Sequence, residues 1–106
     1  MRYSKSQWLG NKWPSIDLEP FEAWQFMAVL LHLHATYGFK LPEVTNTLDG
    51  YVADFVIDGC PATLDMDNWG TSLAFAEERV RDRVFADLGA LPPDFFERGA
   101  SGENSS

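Results

Sequence analysis

Residues 49–70, DGYVADFVIDGCPATLDMDNWG, hold five aspartates and no lysine or arginine. Carboxylates at this density have three chemical uses: holding a divalent cation, general acid–base work, or docking a basic surface. Apolar and polar residues alternate on both sides of Asp58-Gly59, a pair that tolerates the positive φ of a type I′ turn, so the stretch predicts a hairpin. In the register set by that turn, Tyr51, Ala53, Phe55 and Ile57 lie across from Met66, Leu64, Ala62 and Cys60, an all-apolar face. The opposite face sets Asp54 across from Thr63, Val52 across from Asp65 and Gly50 across from Asp67. Its same-face neighbours stand roughly 7 Å apart. Two such charges repel by roughly 0.6 kcal/mol in water, small against a typical stability of about 5–15 kcal/mol. An anionic sheet face therefore persists without a counter-ion, and solubility alone is one reading of it.

The sharper reading is recognition. Carboxylates flanked by aromatics suit a basic protein and accelerate encounter by steering, with Trp69 on the polar face as the apolar anchor. A cation site is the competing use. The run DMDNWGTSLAFAE has acids at the first and third places of a calcium loop and Gly70 at the sixth. It has Trp69 at the fifth and Ala76 at the twelfth, where a bidentate acid is needed. No metal ligand and no cofactor is assigned on this basis.

Other chemistry is sparse. His32 and His34 are two apart, which on a helix turns them to different faces. One reads as a satisfied interior histidine and the other as marginal. Cys60 beside the turn lacks a nominated orienting group and reads as a small buried residue. There is no glycine-rich phosphate loop and no serine elbow, so no catalytic residue is assigned and a non-enzymatic protein is expected.

The elements that must carry the acidic face come from 106 residues, a length that suits one domain. From Leu41 to Glu78 there are eight acids and no base, equal to the whole net charge of −8. That surface disfavours nucleic acid, whose phosphates need a basic stripe. A lone cysteine fits a reducing compartment. The first residues carry no apolar run of the secretory kind, and Ala23 to Phe39 is too short and interrupted to span a bilayer, so a soluble, cytoplasmic protein is expected.

Asp17 to Tyr37 reads as a helix, with Asp17 or Glu19 as cap, Pro20 in the first turn and Gly38 just past the end. Phe21, Trp24, Ala28, Leu31 and Ala35 have the spacing of a buried face, and Phe26, Met27, Val29, Leu30 and Leu33 widen it nearly all round. Such a helix needs cover on more than one side, so pairing of helix 20–37 with a second copy is an alternative partner reading. After the hairpin, TSLAFA reads as a third strand. Glu77 and Glu78 then open a helix with Val80, Val84 and Leu88 buried and Gly89 at its end. The expected fold is α+β: a three-stranded antiparallel meander with two helices on one face, in the order α-β-β-β-α. Residues 1–16 form a basic arm with Trp8 and Trp13, whose indoles either pack on the apolar helix or grip another chain. Residues 17–96 form the domain, its end extended from Leu91, and 97–106 a disordered tail.

The run YVADFVIDGCPATLDMDNWGTSLAFAEERVRDRVFADL resembles small acidic immunity proteins of bacterial toxin systems: a hairpin with an Asp-Gly turn, a strand ending in Asp-Asn-Trp-Gly, a third strand and a helix with an acidic start. The resemblance covers about forty residues, roughly 48–88, and is one of pattern. It implies a compact α+β domain that binds one toxin through carboxylates. The expected function is a small acidic binding module, an immunity or inhibitor protein, using Asp54, Asp58, Asp65, Asp67 and Trp69 against a basic partner. The alternatives are a divalent-cation-binding domain or enzyme using the same aspartates, and a structural homodimer.

Overall fold

The computed structural model describes residues 1–97. Six antiparallel strands form one sheet in the order β1-β2-β6-β5-β4-β3: β1 (Arg2–Gln7), β2 (Pro14–Glu19), β3 (Thr45–Asn46), β4 (Tyr51–Ile57), β5 (Cys60–Asp67) and β6 (Gly70–Phe75). Helix α1 (Ala23–Tyr37) lies between β2 and β3 in the chain, and α2 (Glu78–Gly89) follows β6. This corrects the expected α-β-β-β-α order. The meander β4-β5-β6 is only part of a wider sheet, and the chain opens with two strands.

The hairpin register holds pair for pair, from Ile57↔Cys60 to Tyr51↔Met66. Asp58 and Gly59 supply the positive φ, 51° and 77°. Pairing of β5 with β6 stops at Ala62↔Phe75, so Pro61 loses nothing by lacking an N–H, while its carbonyl accepts from Ala76 N at 3.0 Å. Gly50 is required by close approach: a Cβ there would stand 1.9 Å from the Met66 carbonyl oxygen.

Residues 1–19, expected as a basic arm and a helix start, form strands β1 and β2 for a physical reason. Ser15-Ile16-Asp17-Leu18-Glu19 alternates strictly, and Ile16 and Leu18 are buried against β6 through the pairs Ile16↔Leu73 and Leu18↔Thr71. Reading Asp17 as a helix cap hid that alternation. β1 has only Tyr3 as an apolar inward residue; its next inward position is Lys5, whose ammonium lies 5.1 Å from the Phe85 ring centre.

α1 begins later than expected, at Ala23. Glu22 and Gln25 form a reciprocal capping box, with Glu22 N donating to Gln25 Oε1 at 2.7 Å. Gly38 ends the helix in the left-handed region at φ 73°. The buried side is Gln25, Phe26, Val29, Leu30 and Leu33, while Trp24, Met27, Leu31 and Ala35 are exposed. The face expected to be covered therefore looks outward. α2 matches expectation at Val80, Val84 and Leu88, all buried.

Both helices lie on one side of the sheet. α1 meets it through Phe26 on Tyr51, and the following turn through Phe39 stacked on Phe55 at 4.6 Å. α2 packs over β1, β2 and β6. Residues 93–97 are turned rather than extended, and Phe95 and Phe96 close edge-on around His32. The proposed tail beyond Glu97 lies outside the described residues. No helix among the described residues is long and apolar enough to cross a membrane.

Candidate functional site

Strand alternation sends Asp17 and Glu19 of β2, Asp54 of β4, and Asp65 and Asp67 of β5 to the sheet face away from the helices. Through the register, Asp17, Ser72 and Asp65 form one row across β2, β6 and β5, while Thr63 lies beside Asp54. The hairpin between β1 and β2 curls over part of this face. Trp8 Nε1 donates to Ser72 Oγ at 2.9 Å, and Trp13 lines a hollow with Asp54, Val56, Pro61 and Thr63. The two indoles thus cover the sheet face opposite the helices, which corrects the expectation that they pack on the apolar helix. Their cover accounts for the full burial of Ala74 and Ser15, which share the next row. Ser15 Oγ has no hydrogen-bond partner there.

Beyond the indoles the face opens into a groove of about 320 Å³ bordered by Asp17, Glu19, Asp67, Trp69 and Ser72. Trp69, in the tight turn between β5 and β6, is 93% exposed. Asp67 Oδ1 accepts from Trp69 N at 2.8 Å and Gly70 N at 3.0 Å, so this carboxylate shapes the turn that presents the indole. Burial, with Glu19 beside it, pushes the Asp17 carboxyl above the usual range. Burial, with Asp67 beside it, does the same to Asp65. Neither has an ion pair among the described residues.

Of the five residues expected to bind a partner, Asp65, Asp67 and Trp69 gather at this end of the face. Asp54 lies on the same face nearer Trp13, accepting from Thr63 Oγ1. Asp58 is elsewhere: it sits in the hairpin turn and pairs with Arg83 of α2. Asp17 and Glu19, expected at a helix start, belong with the gathered set. The alternation of residues 15–19 was the signal that could have found them.

Other candidates are occupied by structure. Cys60 is fully buried. His34 Nδ1 lies 2.6 Å from the Phe39 carbonyl oxygen, and the tautomer with that N–H donates to it. Burial among the phenylalanines lowers the His32 pKa. Among the described residues, no three His, Cys, Asp or Glu side chains converge at metal-binding spacing. No protein-family model, curated protein or solved structure matches this chain.

Proposed function

We infer that the protein is a binding module whose open sheet face docks a basic protein surface, with Asp17, Glu19, Asp65 and Asp67 supplying the field and Trp69 the anchor. The single observation that carries this reading is the groove beside Trp69: Asp17 and Glu19 of β2 and Asp67 of β5, with β6 between them, border a nearly fully exposed indole. An incoming lysine or arginine relieves the carboxylate repulsion and stacks on the indole. An inhibitor or immunity role, the one implied by the pattern resemblance, is one form such a module takes. Its partner would be a toxin domain with a basic surface.

The test is titration with a capped decapeptide of alternating lysine and arginine, read by tryptophan fluorescence. The expected response weakens steeply with salt. It disappears in Trp69→Phe and in the double variant Asp17→Lys, Asp67→Lys. An unchanged signal in either variant removes the basis of the reading.

A second reading, self-association through α1, has its own observation. The helix carries no Asp, Glu, Lys or Arg and exposes Trp24, Met27 and Leu31. An antiparallel pair centred between Ala28 and Leu31 sets Trp24 against Ala35 and Leu31 against Ala28, large against small. Light scattering of the chain and of Leu31→Lys decides it: a dimer lost in the variant supports the pairing, and a monomeric parent ends it.

A further inference from the structure

β3 contains two residues, so β4 has a strand partner on that side only at Tyr51 and Val52. The two-residue turn makes Ile57↔Cys60 a hydrogen-bonded pair. The same role then falls to Phe55 and Ala53, and the main-chain N–H and C=O groups of Asp54 and Val56 point away from β5. No main-chain bond from a turn or loop among the described residues reaches them. Beside this edge lies a cavity of about 720 Å³ between residues 39–43 and Asp54–Val56. Its floor is the Phe39–Phe55 stack, and Val56 and Leu41 at its rim are 49% and 40% exposed.

The register explains why the chain does not close this gap itself. Continuing β3 backward from Thr45↔Val52 would set Glu43 directly across from Asp54 on the same face, and Leu41 across from Val56. Like charges directly opposite disfavour pairing, so residues 40–44 diverge and the edge remains open. A two-fold related copy meeting β4 edge to edge would gather both pairs of carboxylates and faces the same repulsion.

We propose that this gap is a strand-acceptor groove for an extended segment of another protein, which lies antiparallel along β4 and takes the main-chain bonds of Asp54 and Val56. Side-chain alternation sets the recognised pattern. An apolar residue lies across from Val56, a second apolar residue faces Phe39 and Leu41, and a lysine or arginine lies across from Asp54 and beside Glu43. The inference concerns the sheet edge and a partner's main chain, so it stands apart from the acidic-face reading.

The test uses the full chain, labelled with nitrogen-15, and the capped tetrapeptide TVVR, which ends before the stretch of β4 that β3 occupies. Its controls are TVVE and the first peptide N-methylated at arginine. Amide exchange at Asp54 and Val56 is expected to slow by about tenfold with TVVR and to stay unchanged with both controls. Glu43→Lys and Asp54→Lys are each expected to remove the effect. The proposal is overturned by no slowing at millimolar peptide, or by equal slowing with the N-methylated peptide. It is equally overturned by protection already present without peptide, as closure by residues 40–44 would give, or by protection that grows with protein concentration, as a second copy would give.

Discussion

The α2 side of the molecule and the open sheet face treat charge in opposite ways. Around α2 every arginine has an acid: Arg79 meets Glu77 at 3.1 Å, Arg81 meets Asp82 at 2.7 Å and Glu78 at 3.3 Å, and Arg83 meets Asp58. Lys5 of β1 joins them at 3.1 Å from Asp82. On the open face Asp17 and Asp65 have no ion pair, and the neighbours that shift them are carboxylates. Arg81 and Lys5 thus fasten α2 to the first hairpin and Arg83 ties it to the β4–β5 turn, while the far face is left anionic. The net charge of −8 is set by composition, and the segregation decides which surface displays it.

The largest expected effect comes from breaking the seam. Arg81 is buried, and its guanidinium donates to the carbonyls of Ser6 at 3.1 Å and Ser15 at 3.2 Å as well as to the two acids. Arg81→Met keeps the stem but leaves the Ser15 and Ser6 carbonyls without this donor and removes one of the links between α2 and the β1–β2 hairpin. A loss of about 3 kcal/mol is expected, read as a lower denaturant midpoint. A second readout is faster amide exchange in β1 and β2 than in β4 and β5. Equal loosening of both pairs of strands would show that the seam does not divide the molecule as the charges suggest.

A smaller effect of opposite sign is expected at the margin between the two regions. Ser15 is fully buried, and its hydroxyl has no partner. Ser15→Ala removes an unsatisfied polar group without opening a large void, so stability should rise by about 1 kcal/mol in the same denaturation experiment. A loss would mean that the hydroxyl is hydrogen-bonded in solution.

How much of this was legible in the chain depends on what a pattern encodes. Asp58-Gly59 fixed its own turn, and the turn fixed seven cross-strand pairs, because alternation and turn chemistry are local. The same local logic was present in Ser15 to Glu19, but Asp17 and Pro20 also fit a helix entry, and two rules competed for one segment. The β1–β2 hairpin had a signal too: Gly10-Asn11 between Trp8 and Trp13, which pair through Trp8 N and Trp13 O at 2.9 Å. The cover of the open face by those indoles was not legible, since period two says which way a residue points and not what lies above it. Asp58 shows the same limit. Its place in the turn was readable, whereas its engagement by Arg83 depends on α2 folding back across the sheet.

The smallest expected effect is a difference in sign, since the two regions should have opposite pH slopes. Hydrogen bonds from Arg81 and then Lys5 hold the Asp82 carboxyl below the usual range. Its contribution to stability is present above the unfolded carboxylate pKa and is lost as pH falls through the depressed folded value. Asp65 runs the other way. Burial first, then Asp67, raises its folded pKa, so the folded state holds a proton more tightly than the unfolded chain does, and stability falls as pH rises through that raised value. Asp65→Asn removes this penalty. The variant should therefore match or exceed the parent at neutral pH, by less than about 1 kcal/mol because the group is partly exposed and screened. The gain should vanish in acid, below the ordinary aspartate range, where both states of the parent are already protonated. Asp82→Asn should show the mirror image, a deficit at neutral pH that disappears in acid. Denaturation curves of both variants across that range would report it, and parallel pH profiles would mean that Asp65 has found a cation and that the sheet face is not the unpaired surface on which docking depends.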